Sequence, residues 1–575
     1  MCAIWSYLRK IKKKLKQREN LYSSCYKLYP RGPDRDEFIG IHDFMSLYLG
    51  FQRLAIMGIT ISGDQPFRFE VDGRTIYCMC NGEIFNFHDL IKNHSLEIKS
   101  KSDCEVIPLL YIKYGFEKMI KLLVGEFACT IIDIDHEKNH LDLYLGRDQL
   151  GIRPLFFGED DDGFCFSSEL KGIVTRETCL IKSGVRQFPP GQYMKKSFYL
   201  KDGDLECTPS QFTEYYSYKY DVIKVKELKT ALKLVKDSFI EAVRCRLESD
   251  VPLGCLLSGG LDSSLVASIA SRILKEKGKT LKTYSIGMPG STDEYYAKLV
   301  AKFIGSDHTH IELTEKQFLD AVPDVVYASE TFDITTIRAT TGQYLCSKWI
   351  RDNTDIKVLL IGDGADELCS GYIYFHKAPT PESMHDENRK LLKEIHQFDV
   401  LRADRGIASC GLEARVPFLD YRFVDLYMSI DPSLRMVTNG MEKYLLRKSF
   451  EGYLPDEVLY RRKEAFSDGV SSTKRSWHSV LQEEIDGKYS DSDFETMRAK
   501  YAHHCCPPNK EALYFRELFH AIFGTTDVDK TICRFWLPNQ EWVGKMTEPS
   551  ARALDDIYNI DKEEKPTLST LEKVV

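Results

Sequence analysis

The sequence predicts an α/β chain in two parts: a mainly β front half with some helices, then a rear half built on a doubly wound parallel sheet. Three observations carry this. At 575 residues the chain is too long for one core, and two domains are the natural count. Short apolar runs separated by turn residues fill the first two hundred positions. From about Asp221 helical and strand patterns alternate, which implies parallel strands, helices on both faces and ligands at the strands' C-terminal ends.

Composition narrows the class. Apolar residues make up 43% and charged residues 29%, the balance of a soluble globular protein. A formal net charge of −8 argues against a general nucleic-acid binder. No run approaches the roughly eighteen apolar residues of a membrane span, and no basic-then-apolar leader is visible. A cytoplasmic protein with no membrane or nucleic-acid partner is expected. The 17 cysteines follow no repeated spacing, and Cys129, Cys165 and Cys255 sit inside apolar runs. Reduced, buried thiols fit better than a disulfide framework. In His503-His504-Cys505-Cys506 the adjacent ligands give poor tetrahedral geometry for zinc.

In chain order, Met1-Cys2-Ala3-Ile4-Trp5 comes first. A cysteine there is ordinarily incidental. Removal of Met1, however, would leave Cys2 with a thiol and a free α-amine, which titrates at about 7.7–8, so one residue would supply nucleophile and base. Arg9 to Arg18 holds five lysines and two arginines and reads better as a solvated, partly helical loop than as a membrane or acidic-partner arm. Arg31-Gly32-Pro33-Asp34 is a turn. Phe51 to Met57 is a short buried strand interrupted by Arg53, whose guanidinium is served equally by a substrate carboxylate or an internal salt bridge.

Tyr77 to Cys80 is a strand delivering Asn81-Gly82-Glu83-Ile84-Phe85-Asn86. The Asn81 amide beside the Gly82 N–H can form a two-donor oxyanion hole, although on local pattern alone an Asn-Gly turn is the plainer reading. Ser102-Asp103 can cap the helix that follows or offer a carboxylate to an ammonium group. Further strands fall at Ala128–Asp133, Leu141–Leu145 and Phe164–Ser168. The half closes near Pro189-Pro190-Gly191.

The rear half opens with a helix from Glu227 to Glu248. An apolar strand then enters Leu257-Ser258-Gly259-Gly260-Leu261-Asp262-Ser263-Ser264, and a helical pattern leaves it. Strand, glycine turn and helix aim backbone N–H groups at an oxyanion, and the serines add hydroxyls. A lone carboxylate in such a nest is explained by a bridging cation, so Asp262 points to Mg²⁺. An ordinary glycine turn is the alternative, and a Walker A loop is excluded because Gly-Lys-Ser is absent. Strands at Thr283–Gly287, His308–Leu313 and Lys357–Ile361 follow, with helices on either side of Phe332 to Ala339. The last strand ends in a second acidic glycine loop, Gly362-Asp363-Gly364-Ala365-Asp366-Glu367. Lys463 lies in a charge run that by itself reads as solvated, and Leu554 to Val575 reads as a charged, fraying tail.

Met-Cys at the start, Arg-Gly-Pro-Asp at 31–34, Arg-Leu-Ala-Ile at 53–56, Asn-Gly-Glu-Ile-Phe-Asn at 81–86 and Ser-Gly-Gly-Leu-Asp-Ser-Ser at 258–264 occur in this order in glutamine-hydrolysing asparagine synthetases. The chain resembles that family from Cys2 to about Leu554. The resemblance implies an α+β N-terminal-nucleophile sandwich at 2–200, acting as a class II glutamine amidotransferase. It implies a doubly wound parallel sheet of the adenine-nucleotide α-hydrolase type at 213–540, and leaves 555–575 as tail.

Carried over by motif, Cys2 would attack the glutamine amide while Asn81 and Gly82 hold the oxyanion. Arg53 would grip the α-carboxylate, Asp103 and Glu83 the α-amino group, and Leu54, Ala55, Ile56 and Met57 would line the pocket. In the rear half Ser258, Gly259, Gly260, Leu261, Asp262, Ser263 and Lys463 would hold pyrophosphate. Leu257, Ile286, Ile361 and Gly362 would contact adenosine, and Asp262 with Asp366 would bind Mg²⁺. Thr335, Thr336 and Arg338 would take aspartate, with the two threonines as helix caps for the alternative. No organic prosthetic group is implied, and a homodimer is compatible.

The departures matter. Ala3 stands where the family has glycine, and Gln52 where it often has histidine. The catalytic carboxylate of the second loop, usually glutamate, is Asp363, and Ile361 replaces a serine. Slower adenylating chemistry is expected, since a misplacement of about 1 Å can cost on the order of a hundredfold. The alternatives are a degenerate paralogue with weakened synthesis and a β-lactam synthetase-like enzyme, the latter disfavoured by Cys2, Arg53, Asn81 and Asp103.

Overall fold

The structure, a computed structural model, describes residues 1–9, 18–218, 222–524 and 527–546. Most of the basic stretch from Arg9 to Arg18, and the tail expected at 555–575, lie outside the described residues.

Two antiparallel sheets form the front half. In the six-stranded sheet, Ala3–Arg9 runs between Ser46–Arg53 and Gly163–Ser167. In the seven-stranded sheet, Gly125–Asp135 runs between Arg74–Ile84 and His140–Arg147. Side chains alternate across each strand, so Ile4, Leu8, Leu49 and Phe51 of one sheet meet Met79, Ile132, Leu143 and Leu145 of the other in a shared core. The far face of the second sheet, with Ile76, Cys78, Cys129 and Ile131, packs on the helices Val106–Tyr114 and Phe116–Leu122. The result is the expected α+β sandwich.

Three local expectations change. Asn81 and Gly82 are not in a turn: the strand Arg74–Ile84 runs on past Cys80, pairing Asn81 with Ala128 and Gly82 with Phe127. Asp103 does not cap a helix. It opens a single 3-10 turn, and its carboxylate accepts the Ile84 amide at 2.6 Å. Strands Gln192–Lys201, Asp204–Cys207 and Gln211–Glu214 extend the front sheet beyond Gly191, so the boundaries expected at 200 and 213 fall inside it.

The rear sheet has five parallel strands in the order Asp307–Glu312, Lys282–Gly287, Leu253–Leu256, Val358–Leu360, Glu413–Arg415. The order in which strands are added switches sides between Leu253–Leu256 and Val358–Leu360, which run parallel. Their two following loops therefore open onto one crevice, the usual ligand position in such sheets. The helix expected after Phe332–Ala339 begins within it, at Ile334. Strand Glu413–Arg415 was not anticipated, because three residues carry no periodicity. Among the described residues no helix is long and apolar enough to cross a membrane.

The halves share buried surface. Leu54 and Ile56 of the front pack on Val358 of the rear, beside Met57, Val251 and Leu253. Arg31 pairs with Glu169 at 2.7 Å and with Asp404 of the rear half at 2.7 Å. Glu126 receives Arg153 at 2.9 Å and Arg246 at 2.7 Å, all three buried. Front-half atoms meet backbone groups in and beside the strand Glu413–Arg415. Arg153 Nη2 donates to Ala414 O at 2.9 Å, Val416 N to Glu126 Oε1 at 3.2 Å, and the Met1 amine to Leu412 O at 3.2 Å.

Candidate functional site

Cys2 sits at the head of the strand Ala3–Arg9, half-buried, with Sγ 3.6 Å from Leu54 O. Burial pushes its thiol up to about 12. Met1 is fully buried beside it, and burial brings the Met1 α-amine down to about 5. While Met1 is attached, the Cys2 nitrogen is an amide with no basic lone pair. Arg31, which the turn motif hid from sequence reasoning, donates to Cys2 O at 3.1 Å.

Asn81 is fully buried, yet neither Oδ1 nor Nδ2 has a partner. A buried amide left open in this way calls for an explanation, and a ligand atom supplies one. Gly82 beside it has φ +149°, and a Cβ there would lie 2.0 Å from Glu126 O, so only glycine lets the strand pass. Glu83 and Asp103 add two buried carboxylates. Burial raises both, Glu83 far above its ordinary value and Asp103 to about 6, with Glu413 adding like charge and Arg415 opposing.

Arg53 is already engaged. Its Nη1 donates to Asp64 and to Thr60 O at 2.8 Å, and its Nη2 to Gly58 O at 2.5 Å and Met57 O at 3.4 Å. Of the two readings open in the sequence, this arrangement is the internal salt bridge. A substrate carboxylate must displace part of it. The Ala55 amide is held by Asp34 at 2.7 Å and Ile56 O accepts Asp250 N at 3.2 Å, which fixes the segment Leu54–Met57 between the halves.

The rear crevice is a cavity lined by Leu257, Ser258, Gly260, Leu261, Asp262 and Ser263 of the first loop, by Ile361, Gly362, Asp363, Gly364 and Asp366 of the second, and by Ile286 and Lys463. Of the residues expected to hold pyrophosphate, Gly259 alone is outside it. The loops touch so closely that a Cβ at Gly362 would lie 2.6 Å from Ser263 N.

Between the two acidic side chains lies Lys443, which the sequence reading missed. Its Nζ is 2.7 and 2.6 Å from the two oxygens of Asp262 and 2.5 Å from Asp366 Oδ1. Lys463 Nζ reaches Asp366 Oδ2 at 2.5 Å. Against the cost of burial, these ammonium groups hold the Asp366 carboxyl well below its usual range. Lys443 sits at φ +56°, a conformation no sequence pattern announces. Two carboxylates near enough for one ammonium to touch both are hard oxygen donors of the kind Mg²⁺ takes, and the residues fit that ion. Among the described residues no group of three or more metal-ligating side chains exists. The pair would be completed by substrate phosphates and water.

Asp363 Oδ1 accepts Arg402 Nε at 3.1 Å and Nη2 at 3.0 Å, and Gln343 Nε2 lies 3.3 Å away. Burial raises its carboxyl, with Arg402 opposing. Thr335 lines the cavity with a buried, unpartnered Oγ1. Thr336 is spent locally, its N and Oγ1 both 2.8 Å from the capping carboxylate of Asp333. Arg338 is engaged elsewhere in this structure. It is buried outside the cavity lining and locked to Glu511 through Nε at 2.8 Å and Nη2 at 2.5 Å. The cavity's own arginines are Arg402, Arg447, Arg461 and Arg462.

Comparison with known proteins agrees with this two-part architecture. The model of the asparagine synthase family matches residues 234–391 and 378–527, and that of the glutamine amidotransferase domain residues 1–205. The chain is 40% identical to the asparagine synthetase (glutamine-hydrolyzing) of Gallus gallus over 548 residues, which cover 92% of this chain and 95% of that protein. The proteins of the same name from Cricetulus griseus and Homo sapiens match with equal identity and coverage.

Proposed function

The chain belongs to the glutamine-hydrolysing asparagine synthetases, and from that premise we propose how its residues divide the work. The enzyme turns ATP, L-aspartate, L-glutamine and water into AMP, diphosphate, L-asparagine and L-glutamate. The unpartnered Asn81 amide beside Cys2 is the observation that carries the front-half assignment.

Once Met1 is removed, the Cys2 α-amine can take the thiol proton and the thiolate can attack the glutamine carboxamide. Asn81 Nδ2 and the Gly82 N–H are the donors for the oxyanion. Glu83 and Asp103 receive the α-ammonium group. The Leu54–Met57 backbone lines the pocket, and Arg53 shares its guanidinium with the α-carboxylate. Ammonia leaves as the thioester forms. The apolar seam of Leu54, Ile56 and Val358 offers an uncharged molecule a route to the rear half.

In the rear half the Leu257–Ser263 loop and Lys463 cradle the diphosphate portion of ATP, and Ile286 with Ile361 and Gly362 flanks the adenosine. Asp262 and Asp366 would hold Mg²⁺, which when bound neutralises phosphate charge. Lys443 and Lys463 balance the same two carboxylates before nucleotide arrives. Thr335 offers a hydroxyl to aspartate. Arg338 reaches aspartate only by leaving Glu511, so Arg402 is the arginine better placed for a carboxylate. Asp363 faces the site where the β-carboxyl is adenylated and then aminolysed. The test is mass-resolved product analysis with glutamine labelled in its amide nitrogen, given aspartate, ATP and Mg²⁺. Label in asparagine supports the assignment, and label found only in free ammonia overturns it.

A further inference from the structure

Two residues of the rear half reach the front site. Arg415 lies on the edge strand Glu413–Arg415, yet its Nη2 is 3.5 Å from Glu83 Oε1. That nitrogen is buried and has no hydrogen-bond partner, while the rest of the guanidinium is fixed. Nε donates to Glu413 Oε1 at 2.8 Å, and Nη1 to Arg246 O at 3.0 Å and Glu248 O at 2.6 Å. Glu413 in turn acts electrostatically on the Cys2 thiol and the neighbouring α-amine.

Glu83 and Asp103 pose a charge problem. Two carboxylates buried side by side repel each other, and burial alone would keep them protonated. A protonated pair would be a poor receptor for an ammonium group. The groups facing them are Glu413 and Arg415 from the edge strand, Arg153, and the Cys104 thiol, which lies 3.6 Å from Asp103 Oδ2. Of these, Arg415 is the cation nearest Glu83.

We propose that Arg415 and Glu413 are positioning residues of the glutaminase site. Arg415 supplies the positive charge that eases ionisation of Glu83 and Asp103 as the α-ammonium group of glutamine arrives, and Glu413 aims it. The front site is thus incomplete without the rear half. This inference rests on the glutaminase reading of Cys2.

The same strand also touches the synthetase loop. Leu360 pairs with Arg415 in the sheet, and Ile361 N donates to Arg415 O at 3.1 Å. Glutamine binding at Glu83 and the Ile361–Glu367 loop therefore bear on one residue from opposite sides.

The experiment measures glutamine hydrolysis without ATP or aspartate, across pH 5.5–9 (roughly one unit either side of the groups concerned), for the full chain and for Arg415→Met, Arg415→Lys and Glu83→Gln with Arg415→Met. Arg415→Met is expected to raise KM for glutamine at neutral pH by about tenfold or more, the effect of one unit in a carboxyl's affinity for its proton. kcat should change far less, and the acid limb of kcat/KM should move to higher pH. Arg415→Lys keeps the charge and should recover part of the loss. In the double variant the acid-limb shift should shrink, because one of the two carboxylates no longer titrates. An unchanged KM and acid limb in Arg415→Met, with the parent hydrolysing glutamine, overturns the inference alone. So does a fall in kcat and in ammonia-dependent synthesis together that Arg415→Lys does not relieve, which would mark a merely structural arginine. If the parent hydrolyses no glutamine, the glutaminase reading falls and takes this inference with it.

Discussion

The ammonium group of Lys443 lies 2.7 and 2.6 Å from the two carboxylate oxygens of Asp262, where a divalent cation would otherwise balance that charge. Lys443→Met should leave two partly buried carboxylates short of a counterion. Breaking such a pair costs about 3–5 kcal/mol, so its melting temperature in Mg²⁺-free buffer should drop, and added Mg²⁺ should restore more of it than in the parent. Thermal melts with and without the metal check this. Equal responses in both proteins would mean that the lysine does not stand in for the ion.

Asp363→Glu should speed ammonia-dependent pyrophosphate release, by up to on the order of a hundredfold if the missing methylene misplaces the carboxylate by about 1 Å. Arg402 grips Asp363 through two nitrogens, and a variant no faster than the parent would show that this arginine has already taken up the slack. Steady-state rates at saturating ammonia decide it.

Arg338→Ala separates two roles. If the residue only closes a buried pair with Glu511, stability should fall by about 3–5 kcal/mol while KM for aspartate moves less than threefold, about 0.6 kcal/mol. Denaturant titration beside aspartate kinetics gives both numbers, and a tenfold rise in KM would return Arg338 to the substrate site.

Asp103 carries a pH signature whose sign follows from its raised value. Folded, it holds its proton to about 6, whereas unfolded aspartate releases it near 3.9. The ligand-free protein should thus gain stability from this group as pH falls from about 7 to 4, and lose it as pH rises through 6. Asp366, held low by two lysines, contributes the opposite way, with stability present above about 3.9 and lost as pH falls below it. Urea titrations of the parent and Asp103→Asn should diverge by about 3 kcal/mol at pH 7.5 and converge below about pH 4.

Cys2→Ala should abolish asparagine formation from glutamine and leave formation from ammonia intact, and the active protein should weigh one methionine less than its translated sequence. Intact-mass measurement beside both assays tests this. Full glutamine-dependent activity in a chain that keeps Met1 would rule out the α-amine as base.

Both acidic loops were legible because a strand, a glycine turn and a helix leave a pattern spanning a dozen residues, and Asn81 and Cys2 because they sit in contiguous motifs. What stayed hidden is non-local. Lys443 works through a left-handed backbone and partners 181 and 77 positions away in sequence, by the numbering of Asp262 and Asp366. Glu413 and Arg415 belong to a strand too short for a period. The ion pair of Arg338 was hidden for the same reason: its motif is contiguous, but its partner Glu511 lies on a distant helix. The helix caps and strand ends shifted by a few residues because pairing partners, not propensity, decide where a ladder stops.

The rear sheet ends on a strand whose spare backbone groups are taken up by Arg153, Glu126 and the chain's own first amine. Cut the polypeptide between the halves and those groups become an open template of the kind that recruits other chains into aggregates. The C-terminal piece expressed by itself should therefore precipitate or require its missing neighbour in trans.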